Sequence, residues 1–253
     1  MRIVVIGATS AIAEHCCRLW VEREACDLVL VARDFAKAGR VAEDLRVRSP
    51  ASTIAVVEAD FLDTAAIGRL AAETAARPID IVLIAHGMLP EQKQAEGDLV
   101  LCRDTLEVNA VSPALFAEAF AGQFAKAGRG TIALIGSVAG DRGRASNYVY
   151  GTAKGALSTF LAGLRARLRA KGARVVTVKP GDGVRPSPGP KRQATKNRTP
   201  IATTAMSATS TALEDSCRWV IGRSRRRRNS SSSWRVPKRE AYSSTNRRPS
   251  RPR

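Results

Sequence analysis

The sequence predicts an α/β fold built around a parallel sheet, and three observations support this prediction. Short runs rich in β-branched residues alternate with longer segments in which apolar residues recur at helical spacing. The runs are almost continuously apolar, which is typical of strands buried in a parallel sheet. The chain has 253 residues, enough to bury the core of one such domain. We therefore expect a doubly wound parallel sheet with six recognisable strands.

The first unit of this pattern is a strand, a tight turn and a helix. Residues 2–6 have the sequence Arg-Ile-Val-Val-Ile, Gly7 ends the run, and a helical pattern begins at Ala11. The same order opens a dinucleotide-binding unit, in which free N–H groups at the helix N-terminus face a pyrophosphate. A tight turn without a ligand has the same pattern, so this segment alone leaves both interpretations open.

The remaining elements follow in alternation. Asp63 is a predicted N-cap, because its side chain can accept a hydrogen bond from the first turn of the next helix. The predicted strands are 27–31, 53–58, 79–85, 131–136 and 173–179, and the predicted helices are 34–47, 64–76, 102–126 and 148–171. The predicted buried face of the last helix consists of Leu157, Phe160, Leu161, Leu164 and Leu168.

Three side chains late in the sequence have a spacing that suggests proton transfer. Tyr150 and Lys154 are four residues apart in a predicted helix and therefore lie on the same face. A free phenol has a pKa of about 10 and is a poor acid or base at neutral pH. A nearby ammonium group favours the phenolate and lowers that pKa toward the working range. Ser137 follows a predicted strand, and its hydroxyl can hold a substrate carbonyl or alcohol oxygen.

This arrangement resembles the short-chain dehydrogenase/reductase family, in which a serine precedes a Tyr-x-x-x-Lys motif at this distance. The resemblance covers residues 1–181 and includes Gly7, Asp60 and Asn109 in the family's order. It implies a Rossmann-type fold and an enzyme that transfers a hydride between a nicotinamide cofactor and a carbonyl or alcohol substrate.

The resemblance also implies the roles of the catalytic residues. In the family the tyrosine gives or takes the proton, and the serine positions the substrate oxygen. The lysine lowers the tyrosine pKa and binds the nicotinamide ribose, and an asparagine that bends its helix holds a water in the proton relay. The residues at these positions are Ser137, Tyr150, Lys154 and Asn109.

A set of cofactor-binding residues is implied in the same way. They are Gly7, Thr9, Ser10, Ile12, Arg33, Asp60, Ala85, Gly87, Tyr150, Lys154, Pro180 and Gly181. In the family an aspartate at the Asp60 position meets the adenine amino group. The sequence departs from the family where Ala11 and Ala13 replace two glycines of the phosphate-binding turn, and where Ala85-His86-Gly87 replaces Asn-Ala-Gly. We expect His86 to be a hydrogen-bonding turn residue.

The end of the second strand bears on the choice of cofactor. An acidic residue at the position of Ala32 would bind a ribose 2′-hydroxyl, and its absence disfavours NAD. The planar guanidinium of Arg33 suits a 2′-phosphate. We therefore expect NADP(H) to be preferred over NAD(H), with a solvated loop arginine as the alternative interpretation of Arg33.

The segment before Tyr150 is similar to that of a narrower group. Residues 139–151 look like the corresponding stretch of the decaprenylphosphoryl-2-keto-ribose reductases, which reduce a keto-sugar on a polyprenyl phosphate carrier. Arg142 and Arg144 lie between the serine and the tyrosine, where either could meet a phosphate. Two surface arginines in a solvated loop are the alternative interpretation.

The net charge of +18 is unevenly distributed. Residues 1–181 contain 23 Lys and Arg against 19 Asp and Glu, a net charge of +4. Residues 182–253 contain 18 against 4, a net charge of +14. The charge of the first 181 residues is therefore ordinary and gives no argument for a nucleic-acid-binding fold.

The composition changes abruptly after Gly181. Residues 182–253 are rich in Arg, Ser, Pro and Gly, which predicts a disordered basic tail. The change falls at a motif boundary and suggests a shifted reading frame in the coding sequence, with an inactive enzyme as one consequence. The alternative is a non-enzymatic protein whose genuine basic arm binds nucleic acid or an anionic membrane through charge.

Several further expectations come from the composition. The five cysteines form no C-x-x-C pair and there are only two histidines, so no metal site is predicted. No run of about 18 apolar residues predicts a membrane span. The chain begins with a strand, so we expect a cytoplasmic protein. We also expect a small-molecule substrate and a homodimer or homotetramer formed through the two long helices, 102–126 and 148–171.

Overall fold

The computed structural model describes residues 1–180, in which strands and helices alternate. The strands are β1 (Arg2–Ile6), β2 (Asp27–Ala32), β3 (Thr53–Glu58), β4 (Ile81–Ile84), β5 (Thr131–Ile135) and β6 (Arg174–Val178). The helices are α1 (Ala11–Arg23), α2 (Phe35–Arg48), α3 (Thr64–Thr74), α4 (Gln92–Gly97), α5 (Leu99–Leu106), α6 (Ser112–Ala127) and α7 (Tyr148–Arg169). A π-helical turn, Glu107–Val111, joins α5 to α6, and a 3₁₀ turn, Val138–Gly140, follows β5.

The six strands form one sheet in the order β3-β2-β1-β4-β5-β6, and every pair is parallel. Alternate residues of a strand point to opposite faces, so the apolar run of β1 contributes to both cores. Val5 packs in one cluster with Trp20 of α1 and Leu45 of α2. Val4 packs in the other with Phe120 of α6. The predicted six-stranded, doubly wound sheet is confirmed.

The predicted helix 102–126 differs from the structure, which has three segments over this part of the chain. Helix α5 begins earlier, at Leu99, and the π-helical turn interrupts the run before α6 begins. The interruption centres on Asn109, whose side-chain amide donates to the carbonyl of Thr105 at 2.9 Å. An asparagine that bonds to nearby backbone competes with regular helix geometry. The bend that the family resemblance implied at this residue is therefore present as a π turn.

One residue of the predicted buried face of α7 is wrong. Leu157 and Leu161 are buried as predicted, but Phe160 is 36% exposed. It lies at the margin of the apolar stripe, because the leucines at spacings of four and three already cover the sheet side of the helix. The predicted N-cap of α3 is correct, since Asp63 Oδ1 accepts a hydrogen bond from the Ala65 N–H at 2.8 Å.

The predictions for the basic tail, residues 182–253, and for Gly181 lie outside the described residues. Within residues 1–180, no helix is both long enough and apolar enough to cross a membrane. The same part of the chain contains no group of three or more His, Cys, Asp and Glu side chains that could hold a metal ion.

Candidate active site

A cleft of about 690 Å³ lies at the carboxyl ends of the strands, beside the point where the winding of the sheet changes between β1 and β4. Ligands of open parallel sheets bind at such a switch point, because the turns from neighbouring strands diverge there. The turns after β1, β2, β3 and β4 contribute to its walls. The predicted site residues that line it are Gly7, Thr9, Ser10, Ile12, Arg33, Ala85, Gly87, Asn109, Tyr150 and Lys154.

The turn after β1 forms the floor next to the N-terminus of α1. Gly7 has φ of +82°, and a Cβ there would lie 2.6 Å from the backbone nitrogen of His86, so only glycine fits. Ser10 is the N-cap residue of α1, but its side chain makes no capping hydrogen bond. Within residues 1–180 the first N–H groups of α1 are therefore not capped by Ser10, and they present a partial positive charge.

The two alanines that replace family glycines do not line the cleft. Ala13 is fully buried in the core beneath the sheet, and Ala11 is exposed. Neither methyl group is among the atoms that surround the cleft. The departure from the glycine pattern therefore leaves the space above the turn unobstructed.

The turn after β2 is exposed and carries two cations. Arg33 and Lys37 both line the cleft. Asp34 lies between them, but its carboxylate accepts a hydrogen bond from the Lys37 N–H at 2.8 Å and caps α2. No sequence motif indicates Lys37, although its position one turn into a helix after Arg33 places it at the same end of the sheet.

The turn after β4 is fixed to the π-helical turn by the side chain of Asn109. Its amide donates to the Met88 carbonyl at 2.8 Å, and its Oδ1 accepts from the Met88 N–H at 3.1 Å. Asn109 is fully buried. A Cβ on Gly87 would lie 2.7 Å from that Oδ1 and 3.7 Å from Lys154 Nζ, so this turn approaches both residues closely.

Tyr150 and Lys154 project into the cleft from the first two turns of α7. Lys154 Nζ lies 5.7 Å from the centroid of the Tyr150 ring and donates to the Ile135 carbonyl at 3.2 Å. The Ser137 side chain lies close enough to the Tyr150 phenol to lower its pKa. Ser137 begins the 3₁₀ turn after β5, where its Oγ also accepts from the Ala139 N–H at 3.1 Å. The three residues of the predicted proton-transfer set are therefore together.

The ionisation of these groups follows from their burial. Lys154 is 3% exposed, and burial of its ammonium lowers its pKa to about 8. Burial raises the pKa of Tyr150, and the nearby Ser137 side chain lowers it in part. The net direction is opposite to the lowering that the sequence led us to expect. The Lys154 ammonium group donates to the Ile135 carbonyl, and it is Ser137 that partly offsets the effect of burial on the Tyr150 pKa.

Backbone packing that the sequence analysis missed holds Ser137 against α7. A Cβ on Gly140 would lie 2.6 Å from the Gly155 nitrogen, and one on Gly151 would lie 2.7 Å from the Ala139 oxygen. The 3₁₀ turn and the helix thus touch through glycines. The signal was available, because Gly151 and Gly155 are four residues apart and each directly follows a predicted catalytic residue.

Some predicted site residues lie outside the lining of the cleft. Asp60 is exposed, and its carboxylate accepts from the Leu62 N–H at 2.9 Å, although Phe61 and Leu62 beside it do line the cleft. Arg142 is exposed and Arg144 is half-buried in the loop before α7. Pro180 follows β6 and does not reach the cleft lining.

The fold and this cleft together define a dinucleotide-dependent oxidoreductase. A doubly wound parallel sheet, a glycine turn facing a helix N-terminus and a Tyr–Lys pair beside a serine occur together at one edge. The family model for short chain dehydrogenase matches residues 1–187. The chain belongs to this family, as the resemblance indicated, and is an NAD(P)-dependent short-chain dehydrogenase/reductase.

Individual proteins agree with this assignment. The chain is 32% identical over 197 residues to an uncharacterized oxidoreductase of Mycobacterium tuberculosis (strain ATCC 25618 / H37Rv), covering 74% of this chain and 77% of that one. It is 30% identical over 205 residues to an uncharacterized oxidoreductase of Streptomyces coelicolor, covering 78% of each. The crystal structure of a bulky-bulky ketone specific alcohol dehydrogenase from Comamonas testosteroni is similar with a TM-score of 0.65, at 27% identity over 76% of each chain.

Proposed function

We propose that this chain is an NADP(H)-dependent carbonyl reductase or alcohol dehydrogenase in which Tyr150 is the proton donor or acceptor. The observation that carries the proposal is the position of Lys154 Nζ 5.7 Å from the centroid of the Tyr150 ring in the cleft, with the Ser137 side chain near enough to lower the pKa of the phenol. Tyr150 and Lys154 line the cleft that begins at the Gly7 turn, and Ser137 lies outside its lining. A proton-transfer group and a nucleotide-binding turn therefore share one cavity.

Each residue has a distinct role in this proposal. Ser137 holds the substrate oxygen beside the Tyr150 phenol, which is the hydroxyl that exchanges its proton with that oxygen. Because burial raises the pKa of Tyr150, the phenol keeps its proton at neutral pH, which suits a donor in carbonyl reduction. The charge of Lys154 supports the phenolate that remains. Asn109 fixes the turn after β4 beside Lys154 and supports the relay of protons.

The residues of the cleft fit a dinucleotide. The uncapped N–H groups of α1 suit a pyrophosphate, and Gly7 leaves room above the turn. Lys154 and Tyr150 lie at the end of the cleft where we place the nicotinamide ribose. When bound, the nicotinamide supplies or accepts the hydride, which is the part of the reaction that no side chain of this chain can perform.

The charges at the turn after β2 support a preference for NADP(H). Arg33 and Lys37 line the cleft together with Asp34, whose Oδ1 caps α2, so two cations face the cleft against one carboxylate. Ala32 offers no group for a ribose 2′-hydroxyl. Two cations at this position favour a ligand with an additional phosphate.

We propose a ketone or the corresponding secondary alcohol as the substrate. The Comamonas alcohol dehydrogenase, which is specific for bulky ketones by its description, supports this class. The likeness of residues 139–151 to the decaprenylphosphoryl-2-keto-ribose reductases favours a keto-sugar. Arg142 and Arg144 lie in the loop between Ser137 and α7, where a phosphate on such a substrate would find a cation.

We also propose a homodimer or homotetramer formed through α6 and α7. Val111, Leu115 and Phe160 are large apolar side chains that are 49%, 36% and 36% exposed. Leu115 lies on α6, Phe160 on α7 and Val111 at the end of the π-helical turn, and these three elements pack against one another. Burial of these side chains against a second copy would remove apolar area from water.

We place the boundary of the enzyme domain at residue 181, with a basic tail over 182–253. The end of the family match at residue 187 and the net charge of +14 beyond residue 181 support this division. The rival function, binding of nucleic acid or anionic lipid by the tail, predicts an association that disappears at moderate salt. Electrophoretic mobility shifts and vesicle sedimentation at low and moderate salt test it, and absence of binding at low salt removes it.

The proposed function is tested with Tyr150→Phe and with nucleotide-dependent melting. We expect NADPH to raise the melting temperature of the full chain more than NADH, because a ligand that binds only the folded state stabilises it by mass action. Tyr150→Phe should reduce turnover of ketones by about 100-fold or more and keep the NADPH-induced rise. Unchanged turnover would remove Tyr150 from the proton-transfer role, and a melt that ignores both nucleotides would contradict the cofactor assignment.

A further inference from the structure

His86 occupies a position between three of the turns that form the cleft. Its ring packs against Phe61, with centroids 4.7 Å apart, and against Phe116, with centroids 5.6 Å apart. Its backbone nitrogen faces Gly7 so closely that a Cβ on that glycine would lie 2.6 Å away. The residue therefore touches the turn after β1 and the turn after β3 while it belongs to the turn after β4.

Two hydrogen bonds join His86 to the turn after β3 through Ser112. The Ser112 hydroxyl donates to the Phe61 carbonyl at 2.7 Å. A hydroxyl has one hydrogen, so the second contact, 2.9 Å from His86 Nε2 to Ser112 Oγ, has the imidazole as donor. The ring consequently carries a proton on Nε2. We call these two hydrogen bonds, which lead from His86 through Ser112 to the Phe61 carbonyl, the His86–Ser112 strut.

The surroundings keep the ring neutral. Burial lowers the pKa of His86 to about 3, and the positive charges of Lys154 and Arg33 add to the effect. The buried Nδ1 has no hydrogen-bond partner in the described part of the chain. The donor direction of the strut is therefore unchanged over the whole range in which the enzyme can work.

The strut is important because it holds the turn after β3, which forms part of the wall of the cleft. Phe61 and Leu62 line the cleft, whereas the Asp60 carboxylate accepts a hydrogen bond from the Leu62 N–H. In doubly wound sheets the pyrophosphate of a dinucleotide lies at the turn after the first strand. The adenosine half extends from there toward the turns after the second and third strands. The wall at that end is thus held by the buried Phe61 side chain, which packs against Phe116, by the bond within the turn and by the strut.

We infer that His86 is a positioning residue that fixes the adenosine wall of the cleft through Ser112, and so raises the affinity for the adenosine half of the cofactor. The inference rests on the proposed function, because it assigns the adenosine to this end of the cleft. It gives a purpose to the histidine that stands where the family has alanine. It also explains Ser112, which lies three residues after Asn109 and which no sequence motif indicates.

The test is the affinity of the full chain for ADP, measured by calorimetry in three variants. Ser112→Ala removes both hydrogen bonds, and His86→Phe keeps a ring between Phe61 and Phe116 but cannot donate to Ser112. We expect each change to raise the Kd for ADP by about fivefold. The double variant should be no weaker than the weaker single variant, because both changes break the same connection.

A matched control separates positioning from general stability. Thr74→Val removes another buried hydroxyl, which donates to the Leu70 carbonyl at 2.6 Å and does not line the cleft. It should lower the free energy of unfolding without changing the Kd for ADP. If Ser112→Ala and His86→Phe also destabilise the fold but bind ADP as the wild type does, the inference is overturned.

A spectroscopic measurement tests the direction of the strut. The chain has two histidines, so the His86→Phe variant assigns the imidazole signals in a ¹⁵N spectrum of the full chain. We expect the His86 ring to be neutral with the proton on Nε2 at pH 7, and the Ser112→Ala variant to shift its Nε2 signal. A proton on Nδ1 overturns the strut. Failure of the wild type to bind either ADP or NADPH contradicts the proposed function instead.

Discussion

The two ends of the cleft differ in how deeply their side chains are buried and in how they are held. At the catalytic end, Asn109 is fully buried and Lys154 is 3% exposed, and each bonds to backbone groups of a neighbouring turn. At the adenosine end, Arg33, Lys37 and Asp60 are exposed, and the first two make no hydrogen bond through their side chains that holds them in place within the described residues. We therefore expect packing to fix the reacting groups and surface charge to decide the choice of nucleotide.

This difference sets the expected size of mutational effects. A change at the catalytic end alters buried contacts and therefore affects both the position of reacting groups and the stability of the fold. A change at the adenosine end alters a screened interaction and should affect affinity alone. The His86–Ser112 strut lies between these extremes, since its buried bonds hold a turn in which Phe61 is buried and Asp60 and Leu62 are exposed.

The largest effect should come from filling the contact between the 3₁₀ turn and α7. In Gly140→Val the new Cβ would lie 2.6 Å from the Gly155 nitrogen and the Lys154 carbonyl carbon, both of which are backbone atoms. The turn must then move away and take Ser137 with it. We expect turnover to fall by about 100-fold and the free energy of unfolding to fall by about 2 kcal/mol.

Gly143→Val is the matched control for this change. Gly143 lies in the same loop, and nothing lies within 4 Å of the position of its Cβ. We expect nearly unchanged turnover and a melting temperature close to that of the wild type. Equal losses in the two variants would show that the loop as a whole, and not the glycine contact, holds Ser137.

The next effect concerns the buried ammonium of Lys154. Lys154→Met keeps the length of the side chain and removes its charge, so we expect turnover to fall by about 100-fold. The fold should become more stable at pH 7, by roughly 1–3 kcal/mol, because burial of the charged lysine is unfavourable. Turnover assays and urea unfolding at pH 7 measure the two effects in the same samples.

The pH dependence of that gain follows from the pKa of Lys154. The pKa is about 8 in the folded chain, against an ordinary value of 10.5. Between these values the unfolded chain binds the proton and the folded chain does not, so wild-type stability rises with pH. The advantage of Lys154→Met is thus fully present below about pH 8 and is lost as pH approaches 10.5. An advantage that stays constant to pH 10.5 would mean that the gain does not come from removing a buried charge.

A smaller effect is expected at the turn after β2. Arg33→Ala should raise the Kd for NADPH by about tenfold, Lys37→Ala by less, and neither should change the Kd for NADH. Added salt should reduce the difference between the two nucleotides. Arg40→Ala is the control, because Arg40 is an exposed cation of the same helix that does not line the cleft. Equal losses for NADPH and NADH would contradict a site for the 2′-phosphate.

The same contrast explains what the sequence could predict. The fold was predictable because its signals are local: β-branched runs, turn glycines and helical periodicity each depend on neighbouring residues. Tyr150 and Lys154 were predictable because both lie on one helix at a spacing that fixes their relation. Asn109 was found by its motif, and its buried amide bonds to Met88 explain why an asparagine is needed there.

The remaining features depend on contacts between distant segments. Gly140 touches Gly155 across a loop, and His86 meets Ser112 from a different element, so no periodicity links them. The pKa of Tyr150 moves opposite to the expected direction because burial of the phenol outweighs its polar contacts. Burial and direction of a side chain are tertiary properties, and a motif fixes only the identity of the residue.

The smallest effect should come from Asp60, and it is the sharpest test of the contrast. Asp60 is exposed, and its Oδ1 already accepts from the Leu62 N–H at 2.9 Å, so the carboxylate serves its own turn. In Asp60→Ala the turn loses this bond while the His86–Ser112 strut still holds the Phe61 carbonyl. We expect the Kd for ADP to rise by less than about threefold, the size of a weak exposed hydrogen bond.

Asp63→Ala provides the comparison three residues further on. Asp63 Oδ1 accepts from the Ala65 N–H at 2.8 Å in the same geometry, but it caps α3 and does not line the cleft. Its loss should lower the free energy of unfolding by about 1 kcal/mol without changing the Kd for ADP. If Asp60→Ala instead raises that Kd more than about tenfold, a difference of about 1.4 kcal/mol, its carboxylate contacts the adenosine directly. The adenosine end would then bind through fixed side-chain contacts, as the catalytic end does, and not through the charge of Arg33 and Lys37.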